Sequence, residues 1–243
     1  MAEKIMIASG KGGVGKSTLT AFLAAEEARR NKKVLVIDTD TGLGALDIML
    51  GVADKKMNTW LDVSNGEILE KSVIRVRENL HLLPSPEFLP DEIPENVFVD
   101  IVKNADNNYD IIFIDSAAGI DDSLKRAAKA AERAVFVATA DEISVKCAAA
   151  AADKTESFGM ERSEMRLIIN RFEKKAAQKC RLLNIDGVID KSGVMLLGIL
   201  PEDKKIPFSS VTGVLPDKKS KFVKALCRIA DRTEGKNIPL VIK

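Results

Sequence analysis

The chain has 243 residues, 46% of them apolar and 30% charged, with 37 basic side chains against 36 acidic ones. That length suits one large α/β domain, and the composition excludes a disordered or fibrous chain. The charge balance sets up no global field towards nucleic acid or membrane; no run nears the ~18 apolar residues of a membrane span; the scattered Cys147, Cys180 and Cys227 give neither a disulfide framework nor a metal spacing.

The reading is therefore a single domain over 1–243 in a reduced, cytoplasmic setting. KIMIAS (4–9) opens it as an apolar strand, too short for a signal peptide. Then comes SGKGGVGKST. Gly10, Lys11, Gly12, Gly13, Val14, Gly15, Lys16 and Ser17 fit the phosphate-loop pattern G-x-x-x-x-G-K-[ST] between a strand and a helix. Glycines let successive N–H groups turn inward on a phosphate, and the following helix (16–30) adds its positive end. Lys16 is expected at the β- and γ-phosphates, with the Ser17 hydroxyl on Mg²⁺ and Thr18 beside it.

KVLVIDTD (33–40) is the second strand. Asp38 and Asp40, two apart on an extended segment, share a face at the strand's carboxyl end, where open α/β sheets bind ligands. Gly42 and Gly44 follow as candidate hinges. LHLLP (80–84) holds the single His81, read as structural. PSPEFLPDEIP (84–94) is a loop, and 95–107 a helix. DIIFIDS (110–116) ends on Asp115, with Gly119 beyond. Phosphoryl transfer needs a held cation and a placed water; Asp38 and Asp115 are assigned to the cation and Asp40 to the water. Helix 121–132, strand 134–139 and helix 141–158 precede MRLIIN (165–170). Asn170, with Arg171 next to it, offers an amide able to pair with the adenine edge. No Asn-Lys-x-Asp guanine motif follows a strand, so ATP is the expected nucleotide. Helix 172–184, strand 194–201 and helix 217–234 complete the chain. Most strands are continuously apolar, which belongs to strands covered on both faces. Alternating β and α then implies a doubly wound, mostly parallel sheet flanked by helices.

Lys11 has no evident task beside Lys16. KGGVGKST resembles the deviant Walker A motif of the MinD/ParA ATPases, P-loop proteins in which an extra lysine marks the group. The resemblance implies a homodimer that forms with ATP and Mg²⁺, in which Lys11 reaches the partner's nucleotide and assists hydrolysis. IDTDTGLGALDIMLG (37–51) and IDSAAGI (114–120) look like the corresponding MinD segments, with FlhG a near relative, more than like those of ParA. ILPED (199–203) resembles the loop that closes over the base, which implies Pro201, Glu202 and Asp203 as base-side residues.

By this resemblance the chain is a switch ATPase that positions other machinery, with a protein regulator or cargo as partner; its alternative is a ParA-like DNA partition ATPase. Nonspecific DNA binding is not expected from so balanced a charge. Three departures stand out: Ala45 where MinD has asparagine, Lys146-Cys147 where it has Arg-Asp, and no amphipathic tail helix after 243. Peripheral contact with the inner face of the membrane would therefore need another segment. The basic amphipathic stretch 217–236 is the candidate, although such a stripe ordinarily packs on a sheet.

Overall fold

The computed structural model describes residues 1–42, 44–55, 58–90, 93–94, 96–173, 183–212, 217 and 219–240. Its strands are β1 (Glu3–Ser9), β2 (Val34–Asp38), β3 (Ile74–Arg77), β4 (Leu80–Leu83), β5 (Ile111–Ala118), β6 (Arg133–Ala138), β7 (Met165–Phe172) and β8 (Met195–Pro201). They form one sheet in the order β3-β4-β2-β5-β1-β6-β7-β8. Every pairing is parallel except that of β3 with β4. β3 escapes the sequence reading because it is a four-residue edge strand with its arginines turned outward, too short for a period-2 pattern to register.

Side chains alternate across each strand. Ile5, Ile7, Val34, Val36 and Phe113 face one layer, with Phe22 of α1 (Lys16–Arg29) and Phe222. Met6, Ala8, Leu35, Ile37, Ile112 and Ile114 face the other, with Trp60 of α3 (Trp60–Ser64) and Phe98 of α5 (Val97–Ala105). Both faces are therefore apolar, as the unbroken hydrophobic runs require. Aromatic pairs stand edge to face in each layer: Phe22 with Phe222 at 5.9 Å and Trp60 with Phe98 at 5.6 Å, an arrangement the ring quadrupoles favour.

Short helices α2 (Leu46–Met49) and α4 (Leu69–Ser72) escape the sequence reading because four residues carry no helical period. α6 (Asp122–Ala130) and α7 (Glu142–Ser157) fall where the sequence placed helices, each capped by an aspartate. The Asp121 side chain accepts from the Ser123 and Leu124 N–H groups, and that of Asp141 from Ser144. The helix read at 172–184 lies mostly on residues outside the described ones, and Phe172 belongs to β7. α8 (Ile185–Ser192) and α9 (Ile206–Thr212) are further helices.

The last helix, α10 (Lys221–Thr233), settles what its apolar stripe does. Phe222, Val223, Leu226, Ile229 and Ala230 are all buried against α1 and β8. Gly198 of β8 makes room: a Cβ there would stand 2.4 Å from Ile229 Cγ1. The stripe is core, and no part of it is left for a membrane. Among the described residues no helix is long and apolar enough to cross one. His81 is structural as read: its Nδ1 lies 2.8 Å from the Tyr109 hydroxyl.

Candidate functional site

The sheet order lays the candidate residues side by side. Along its carboxyl edge lie Asp38 at the end of β2, Asp115 within β5, which runs on to Ala118, the glycine loop after β1, the end of β6, Asn170 near the end of β7, and Pro201 at the end of β8. Asp38 and Asp115 are register partners on adjacent parallel strands. Both are in phase with the residues facing α1, so both carboxyls look towards Lys16.

In the loop, Gly13 (φ 77°) and Gly15 (φ 94°) take the left-handed region that a side chain resists. Gly15 is also the N-cap of α1, so that helix starts without a side-chain cap, unlike α6, α7 and α10. Its first N–H groups have no intrahelical partner and point, with the helix's positive end, at whatever the loop encloses. Lys16 Nζ lies 2.7 Å from Asp115 Oδ2 and donates to Ser17 Oγ at 3.0 Å, with Lys16 and Asp115 only 6% and 1% exposed. The Thr20 hydroxyl donates to Asp115 Oδ1 at 2.6 Å. Thr20 was not singled out in the sequence, yet it stands one turn after Lys16 on the same helix face.

Asp38 is 4% exposed, and its Oδ1 accepts the Asp40 N–H at 2.9 Å. Burial first, and then the charge of Asp115, push its carboxyl up to about 7, against the opposing pull of that N–H and of Lys16. A divalent cation would supply the missing positive charge. The same hydrogen bond turns the chain, so β2 ends at Asp38, two residues short of the expected strand, and Asp40 stands on a loop. Burial raises the Asp40 carboxyl too. No group of three His, Cys, Asp or Glu side chains converges as a metal cage among the described residues. A Mg²⁺ ion here would combine Ser17, the two aspartates and oxygens of a bound phosphate, the oxygen-rich set this ion takes.

On the other side of the loop a cavity of about 220 Å³ is lined by Gly15, Thr18, Asn170, Arg171, Pro201, Glu202 and Asp203. The base-side residues named from the sequence thus meet around one space. Leu19 of α1 and Phe222 of α10 line it too, on helices whose apolar residues the sequence marks only as core. Ile206, Pro207 and Ser210 share the lining and escape the sequence reading together with α9. The signal was Pro207, since proline favours a helix's first turn. Asn170 Nδ2 donates to Val14 O at 2.8 Å, which leaves one N–H and the amide oxygen for a ligand. Arg171 takes φ 53° where the strand ends. Lys11 stands apart from all of this, 43% exposed on the loop's other flank, with Nζ 3.6 Å from Asp141 Oδ1. Gly10 is pressed against α7: a Cβ there would lie 2.0 Å from the Cys147 carbonyl oxygen.

Comparison with known proteins agrees with this geometry. Residues 5–216 match the model of the CobQ/CobB/MinD/ParA nucleotide binding domain. The septum site-determining protein MinD of Thermotoga maritima is 33% identical over 99% of this chain and 91% of its own length. A solved MinC:MinD cell division complex from Aquifex aeolicus superposes with a TM-score of 0.90 at 32% identity, covering 99% of each chain. The MinD of Pyrococcus horikoshii, complexed with Mg-ADP, gives 0.83 at 25% identity over 96% of each. With its loop, paired aspartates and sheet order, this chain belongs to the MinD/ParA branch of the CobQ/CobB/MinD/ParA family of nucleotide-binding proteins.

Proposed function

We propose that the chain is an ATP-hydrolysing switch of the MinD kind, acting in the placement of the division site. The observation that carries this is the Lys16–Asp115–Asp38 cluster, buried at the carboxyl edge of the sheet beside an uncapped helix N-terminus. The backbone of residues 10–18 cradles the triphosphate, and Lys16 leaves Asp115 for the β- and γ-phosphates. Ser17, Asp38 and Asp115 hold Mg²⁺, which neutralises charge on the phosphates. Asp40 orients the attacking water. Asn170, Arg171, Pro201, Glu202 and Asp203 enclose the base. Lys11 acts on the nucleotide of a second copy, as an arginine finger does in trans, so the dimer depends on ATP.

A dimer of this kind offers a protein partner a surface that exists only with ATP. The Aquifex relative is seen with MinC, and a protein regulator of similar kind is the partner we assign. The formal charge of +1 gives the DNA-partition alternative no support. The test is sedimentation and phosphate release with ATP and with ADP. Wild type should dimerise with ATP alone and release phosphate; Lys11→Ala should bind ATP as a monomer, and Lys16→Ala should not bind it. Normal dimerisation and turnover of Lys11→Ala would refute the role in trans.

A further inference from the structure

Lys11 and Asp141 meet in an unusual place. Asp141 is the N-cap of α7, held by two bonds of its own: Oδ1 accepts the Ser144 N–H at 2.9 Å, and Oδ2 accepts the Thr139 hydroxyl at 2.5 Å. The backbone of Lys11 is fixed too, because the neighbouring Gly10 packs directly on α7 at Cys147. The 3.6 Å approach of the ammonium therefore spans two anchored points. A cation beside a helix N-terminus opposes the helix dipole, so the lysine has no reason to lie there except the carboxylate. Nothing in the phosphate-loop chemistry requires such a pair.

We propose that Asp141 is a latch in cis: it holds Lys11 against the first turn of α7 in the lone subunit, and Lys11 must leave it to reach a second copy's nucleotide. This rests on the trans role of Lys11 given above. The pair is half exposed, at 43% and 35%, so it is weak, worth about a two- to fivefold bias. A triphosphate carries several charges against the single one of Asp141 and wins the exchange. The latch thus sets the protein concentration at which ATP drives pairing rather than deciding whether pairing occurs. Two latches open per dimer, so their biases multiply. Asp141 is in this sense a positioning residue, and it touches no reacting atom.

The test is Asp141→Asn, with Asp141→Ser as a second variant. Both side chains still cap a helix, and both remove the charge that faces Lys11. Sedimentation equilibrium across a protein dilution series with a non-hydrolysable ATP analogue reads the dimer dissociation constant. We expect it to fall about tenfold in both variants, with thermal midpoints close to wild type and no dimer in ADP. The concentration giving half-maximal phosphate release per subunit should fall in parallel. An unchanged or raised dissociation constant in these variants, while wild type dimerises and Lys11→Ala does not, overturns the latch and leaves the trans role standing. Wild-type dimerisation by Lys11→Ala overturns both.

Discussion

Replacing Asp38 by asparagine should stabilise the nucleotide-free protein, and the gain should depend on pH. Asparagine keeps the oxygen that accepts the Asp40 N–H but carries no charge. The Asp38 carboxyl titrates near 3.8 in an unfolded chain and is pushed up to about 7 in the fold, by burial and by Asp115. Between those values the folded form holds a proton that the unfolded form has lost, so stability falls as pH rises across that window and levels off above it. At about 1.4 kcal/mol per pH unit, the full difference gives a ceiling of about 4 kcal/mol. Because water entry and local relaxation reduce the penalty of a buried charge, about half of that, ~2 kcal/mol, is the working expectation. For a chain of this size it corresponds to ~4–8 °C in Tm. The assay is thermal unfolding by circular dichroism in EDTA without nucleotide, at pH 5 and pH 8. Asp38→Asn should melt higher at both, with a gain at pH 8 at least twice that at pH 5. Equal gains, or a variant less stable than wild type at pH 8, would refute the claim that an uncompensated charge at Asp38 strains the empty site.

Two further outcomes follow from packing. Gly10→Ala puts a methyl group 2.0 Å from the Cys147 carbonyl oxygen; since the obstacle is helix backbone, the cost sits at the upper end of the overpacking range, about 3 kcal/mol, and Tm should fall by ~6–12 °C. A drop under about 2 °C would show that α7 yields easily. Ser220 caps α10 by accepting the Val223 N–H at 3.1 Å, so Ser220→Ala should cost about 1 kcal/mol in urea unfolding, and an unchanged midpoint would mean that solvent replaces the cap at no loss.

Much of the molecule is legible one residue at a time. Glycines at 13 and 15 are chosen for a backbone that other residues resist. The strands declare themselves because burial on both faces demands unbroken apolar runs. Asp38 and Asp115 announce themselves by ending such runs. These features are local, or repeat with a period that a reader of one strand or helix detects. β3, α2, α4 and α9 do not repeat long enough to show it, and with α9 went Ile206, Pro207 and Ser210 of the cavity lining.

Which distant residues meet is set by the packing of the whole chain. The order of strands brings β2 and β5 into register and so makes Asp115 raise the pKa of Asp38; no spacing in the sequence encodes that pairing. The burial of the α10 stripe depends on Gly198 leaving room for Ile229, a contact across 31 residues. A phosphate loop with a second lysine, and the place of Lys11 in it, are visible in the order of residues alone. That Lys11 lies beside Asp141 came from the packing of Gly10 on α7. Attraction between charges depends on distance in space, and only the fold sets that distance.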